Sequence, residues 1–127
     1  MERTYNFQSL EVYQISKELV KNIYILLRKY PQEEKFALCD QLRRAAISIP
    51  SNIAEGMSRT SHKEQAHFLE TSYSSLMEVV CQLEISGELG YITPEDYANA
   101  NNLILRIAKM LSRLKAATLN PQRPPQR

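Results

Sequence analysis

Three glycines, two cysteines and two histidines in 127 residues leave little for several common kinds of protein chemistry. So little glycine gives scant material for tight hairpin turns, and no stretch alternates convincingly as a strand. No apolar run approaches the roughly 20 residues of a membrane-spanning helix. The opening MERTYNFQSL lacks the apolar core of a secretory signal. The expectation is a cytoplasmic protein with no membrane role. In that compartment Cys39 and Cys81, both in helical and mostly apolar stretches, are expected to be buried free thiols. There is no glycine-rich phosphate loop, no Cys-x-x-Cys, and no Ser or Cys with an obvious histidine partner. The reading is therefore non-enzymatic, with no cofactor, no catalytic residue and no small-molecule substrate.

What is present is helical periodicity. An apolar stripe of Val12, Leu19, Ile23, Leu26 and Tyr30 predicts a helix over residues 8–30, ended by Pro31. A second helix is expected from residue 32 or 33 to 57, with Leu38, Leu42, Ala45, Ile49 and Ile53 inward. SHKE announces a third, with Ser61 and Glu64 as a capping box. Ala66, Leu69, Tyr73, Leu76, Val80 and Leu83 follow at heptad spacing, and the helix stops near Gly90. TPED opens a fourth, with Thr93 as cap and Pro94 in the first turn. Its inner face is Tyr97, Ala100, Ile104, Ile107, Leu111 and Leu114, and it ends near Ala117. Three of the helices are expected to exceed 20 residues. With short connections this makes an all-α, antiparallel up-down-up-down four-helix bundle over residues 1–117. Residues 118–127, rich in proline, read as a disordered or extended tail.

The stretch RRAAISIPSNIAEG, residues 43–56, is unusual. It has Pro50 in its middle and no charged side chain from Ala45 to Ala54. Proline removes a backbone donor and predicts a kink, with the carbonyls of Ala46 and Ile47 in need of partners such as Ser51 or water. On a helical wheel Arg44, Ser48, Asn52, Glu55 and Arg59 form a polar stripe away from the inner face, with Ile47 on the same far side. A helix apolar or small nearly all round is usually buried all round. A bundle covers only one face, so another copy of the chain is the economical cover, and this stripe with Ile47 is the expected oligomer interface. The competing reading leaves the stripe facing water.

QLRRAAISIPSNIAEG followed by SR, then HFLETSYSSLMEV and LGYIT, resembles the bacterial four-helix-bundle family known as the 23S rRNA intervening-sequence proteins. The resemblance runs from about Phe7 to Leu114. It implies a bundle that assembles as a ring, typically a homopentamer. Related bundles are accessory proteins of retroelements and bind reverse transcriptase and nucleic acid. The family's motif positions fall here on Arg44, Asn52, Glu55 and Gly56. The chain departs from the family at SYSSL, before the Ser-Leu of the third helix.

Two other patterns invite a chemical reading. EQAH, Glu64 to His67, is a Glu-x-x-His of the kind found in di-iron bundles. The only other histidine, His62, is too close in sequence to supply the second motif. A single-metal site at His62, Glu64 and His67 competes with plain surface residues at a helix start. Glu78, Glu84 and Glu88 read as a surface pattern. Charge is unevenly spread: residues 1–96 hold ten Lys/Arg against fourteen Asp/Glu, and residues 97–127 hold six Lys/Arg and no acid. Arg106, Lys109 and Arg113 recur at i, i+3 and i+7, with Lys115 on a flank and Arg123 and Arg127 beyond. That basic surface is the expected contact for structured RNA or a ribonucleoprotein, recognised by backbone and shape. A solubilising stripe, or a scaffold that meets an acidic protein, are the rivals.

Overall fold

The computed structural model describes residues 5–120. Among these residues it holds four α-helices and no strand: α1 (Glu11–Leu27), α2 (Leu38–Met57), α3 (His62–Glu88) and α4 (Pro94–Leu119). Short 3-10 turns, Asn6–Ser9 and Gln32–Glu34, precede α1 and α2. α1 packs on α2 and α4, and α3 packs on the same two, so α1 and α3 lie on one diagonal. Lys29 beside Asp96, and Lys115 beside Glu70, fix antiparallel neighbours. This is the expected up-down-up-down bundle, with its α1/α4 side opposite its α2/α3 side.

The core is built by the inward stripes. Leu19, Ile23, Leu42, Ile49, Ile53, Leu69 and Ile107 are all but fully buried. Each such side chain contributes about 1.5–3 kcal/mol. α4 starts as the sequence predicts. Thr93 Oγ1 accepts from the Asp96 backbone at 3.0 Å, Asp96 answers to the Thr93 backbone at 3.0 Å, and Pro94 needs no partner. α3 ends where Gly90 takes φ +80, a left-handed conformation that allows Tyr91 N–H to reach back to the Ser86 carbonyl at 2.9 Å.

Several expectations are corrected. α1 begins at Glu11 and ends at Leu27, shorter at both ends. α2 begins at Leu38, because Ala37 (φ −117, ψ −100) lies outside helical geometry. Only α3 and α4 exceed 20 residues, at 27 and 26. α4 continues to Leu119 and buries Thr118, two residues past the expected boundary. The rest of the proposed tail, with Arg123 and Arg127, lies outside the described residues. At Ser61 only half of the capping box forms, Glu64 N–H to Ser61 Oγ at 3.3 Å. Cys39 is buried as expected, but Cys81 is exposed on α3. The inner face of α3 is also rotated: Ser72, Ser75 and Val79 are buried, Tyr73 is exposed and Val80 only half-buried.

Candidate oligomer and nucleic-acid interface

The uncharged stretch of α2 is explained mostly within one chain. Ala45, Ala46, Ile49, Pro50, Ile53 and Gly56 are all buried against α1 and α3. α2 runs unbroken through Pro50. Side-chain hydrogen bonds near the proline do not go to the Ala46 and Ile47 carbonyls through Ser51. Instead Ser72 Oγ of α3 donates to the Ile49 carbonyl at 2.9 Å, and Asn52 Nδ2 donates to the Ser48 carbonyl at 2.8 Å. Small residues on both helices permit this approach, and the serines of α3 are buried because α2 satisfies them.

The expected interface stripe therefore splits. Ser48 and Asn52 are turned toward α3: Ser48 Oγ accepts from Asn52 Nδ2 and from Ser75 Oγ, each at 2.8 Å. Arg44 is exposed and paired with Asp40 at 3.2 Å, one turn back. Arg59, just past the end of α2, pairs with Glu55, and its guanidinium lies 5.0 Å from the Phe68 ring centre. Ile47 stands on the outer surface at 43% exposure. Across the α2/α3 side, Ile85 shows the same exposure, 43%. Between these helices a groove of about 270 Å³ is lined by Gln41, Arg44, Ala45, Ser48, Ser75, Glu78 and Gln82. The Gln82 Oε1 atom is buried there without a hydrogen-bond partner.

The basic row of α4 also divides. Arg106 reaches Glu11 of α1 at 3.7 Å and Lys115 reaches Glu70 of α3 at 2.8 Å. The Lys115 ammonium, by hydrogen bond and charge, holds the Glu70 carboxyl below the usual carboxylate range. Lys109 and Arg113 are exposed and have no acidic partner among the described residues.

Sequence reasoning missed the cations of α1. Lys21 and the C-cap residue Arg28 are exposed, Lys17 is half-buried, and none of the three makes an ion pair among the described residues. Lys17 lies over the Tyr13 ring at 4.8 Å. Their spacing was visible, but the acidic total of the first 96 residues concealed it. α1 itself holds Glu11 and Glu18 beside Lys17 and Lys21, while α3 carries Glu64, Glu70, Glu78, Glu84 and Glu88 against Lys63 alone.

No three His, Cys, Asp or Glu side chains among the described residues gather closely enough to hold a metal ion. His62 instead contacts Gln65 at 3.3 Å, and His67 sits edge-on to Phe68. No described helix is long and apolar enough to cross a membrane.

No curated protein matches this chain. A solved structure from Bacteroides thetaiotaomicron VPI-5482, described as a protein of unknown function from the S23 ribosomal protein family, is 28% identical. It superposes with a TM-score of 0.75 over 82% of this chain and 97% of that one. The family model for the 23S rRNA-intervening sequence protein matches residues 8–113, which takes in α1, α2, α3 and most of α4. This chain belongs to the 23S rRNA-intervening sequence protein family.

Proposed function

We propose that the protein is a non-enzymatic bundle that assembles into a homo-oligomeric ring, of five copies, and binds structured RNA or a ribonucleoprotein through its basic side. The observation that carries this reading is the separation of charge by helix. Beyond Asp96, α4 holds four cations and no acid, with Lys109 and Arg113 bare on its outer surface, while α3 is acidic. The names of the family and of the solved neighbour refer to 23S rRNA and to a ribosomal protein family, which supports RNA as the partner. Two bare cations per α4 hold phosphate weakly. A ring repeats them in every copy, and each neutralised phosphate steepens the salt dependence.

Self-association is assigned to the α2/α3 side. Ile47 and Ile85 are exposed there. With that side covered, the α1/α4 side stays open. A second reading, a protein-binding scaffold or accessory subunit such as a partner of reverse transcriptase, is favoured by the partial neutralisation of the α4 row by Glu11 and Glu70. The test is a titration of labelled rRNA fragments at several salt concentrations, with the native mass of the same sample. A ring-sized mass and a log–log salt slope of several phosphates are expected. A ring-sized mass with no affinity near physiological salt moves the function to a protein partner.

A further inference from the structure

The outward surfaces of α1 and α3 carry charge of opposite sign, and within one chain they never meet. On α1, Lys21 and Arg28 are exposed and seven residues apart, so they lie in one line on the outside of the helix. Tyr24 and Ile25, 42% and 56% exposed, stand on either side of that line. The nearest exposed acid, Glu18, lies on the flank toward α4 that Glu11 and Lys29 mark. On α3, Met77, Cys81 and Ile85 form an exposed apolar row at a spacing of four, and the exposed Glu78 and Glu84 border it. Lys21, Arg28, Glu78 and Glu84 make no ion pair among the described residues. Each helix therefore sets exposed apolar side chains among charges that its own chain does not neutralise.

α1 and α3 stand on one diagonal of the bundle, so their outer surfaces point away from each other. A second copy brings them together in a head-to-tail contact, the kind that closes into rings. Direction and level agree with such a contact. Both helices run antiparallel to α4, hence parallel to each other. In a ring whose axis follows the bundle, each α1 meets the next α3 in parallel and with no rise. Tyr30 OH donates to Ser86 Oγ at 2.6 Å, which marks a common level in the two helices. Counting back from that pair puts Tyr24 and Ile25 level with Val80 and Cys81. It puts Lys21 level with Met77 and Glu78, and Arg28 level with Glu84 and Ile85. Along the axis Lys21 and Arg28 are about 10.5 Å apart, and Glu78 and Glu84 about 9 Å.

We infer that the outer face of α1, with Lys21, Tyr24, Ile25 and Arg28, docks on the outer face of α3 of a neighbouring copy, with Met77, Glu78, Glu84 and Ile85. Lys21 then faces Glu78 and Arg28 faces Glu84. Opposite charges at matched spacing select the partner face and fix its register, and the apolar side chains between them supply the buried area. This rests on the reading of the chain as a homo-oligomer. It extends the contact assigned to the α2/α3 side around α3, and it adds the second surface that a head-to-tail contact requires. Lys109 and Arg113 of α4 stay uncovered.

The test is charge reversal in the full chain, read by native mass over a dilution series. Lys21→Glu with Arg28→Glu, or Glu78→Lys with Glu84→Lys, places like charges face to face. In either variant the concentration at which the assembly falls to single chains rises by roughly tenfold or more. All four reversals in one chain restore opposite signs, and assembly returns. Mixed in equal amounts, the two pair-reversed variants associate with each other in equal numbers, which a ring of five cannot satisfy. Lys35→Glu with Lys63→Glu changes the charge as much elsewhere and keeps the ring. Circular dichroism confirms that each variant is folded, since every altered side chain is exposed.

Three results overturn the inference while self-association stands. They are a ring that both pair-reversed variants keep, a ring lost as readily in the Lys35 and Lys63 control, or single chains when all four charges are reversed. An unaltered chain that is single at every concentration instead overturns the oligomer reading itself, and this inference with it.

Discussion

Gly56 of α2 and Phe68 of α3 approach so closely that a Cβ on the glycine would lie 2.8 Å from the Cβ of Phe68 and 3.3 Å from the Gln65 carbonyl. Neither neighbour is the far end of a flexible chain, so the two helices must separate to admit even a methyl group. Helix propensity favours Gly56→Ala by up to about 1 kcal/mol, and overpacking opposes it by about 1–3 kcal/mol. The second effect wins at a helix crossing. Gly56→Ala is expected to lower stability by on the order of 1–2 kcal/mol in urea unfolding. A stabilised variant would mean that the α2/α3 crossing is loose.

At the other end of the bundle, Tyr30 couples stability to alkaline pH. Burial pushes the Tyr30 phenol up, partly opposed by its bond to Ser86. Burial likewise pushes the Cys39 thiol up, with Arg43 opposing. Each folded-state pKa lies above its unfolded value, so the stability they contribute is complete below the unfolded values. It is lost as pH rises, from about 8.5 for the thiol and about 10 for the phenol. Tyr30→Phe is expected to cost on the order of 1 kcal/mol at neutral pH through the lost hydrogen bond. The melting temperature of the variant should then fall less steeply above pH 10 than that of the unaltered chain. Parallel curves would show that the phenol ionises no differently in the fold.

Self-association is tested on the surface left bare. Ser48 is unsuitable for a charge, because it is bonded to Asn52 and Ser75 inside the bundle. Ile47→Glu with Ile85→Glu adds charge only at exposed positions. Native mass spectrometry should show a shift from ring to single chains, with helicity kept. A variant that keeps the full mass would place the copies' contact on another face.

Periodicity alone was enough to read four helices, their order and the start of α4, because those signals are local: Thr93, Pro94 and Asp96 lie within one turn. The misread boundary of α2 depends on the conformation of Ala37, where no Ser, Thr, Asp or Asn cap marks the start. The rotation of α3 was hidden for a different reason. Ser72 and Ser75 read as polar, and only the carbonyl of Ile49 and the hydroxyl of Ser48, more than twenty residues away, make them inner residues. The interface stripe has a local explanation instead. Arg44, Asn52 and Glu55 needed partners, and Asp40, Ser48 and Arg59, each four residues away, supply them. Of the basic residues, Lys109 and Arg113 stayed bare, but pairing of Arg106 and Lys115 with other helices lay beyond a one-helix argument.

The packing order of the helices also sets when the molecule becomes complete. Three of its four helix contacts join helices consecutive in the chain, and such short-range contacts form fast. The fourth joins the first helix to the last. Until α4 has been synthesised and docks, Lys29 has no Asp96 and Glu11 has no Arg106. Closure of the bundle, and with it the basic surface of the proposed function, therefore waits for the final helix.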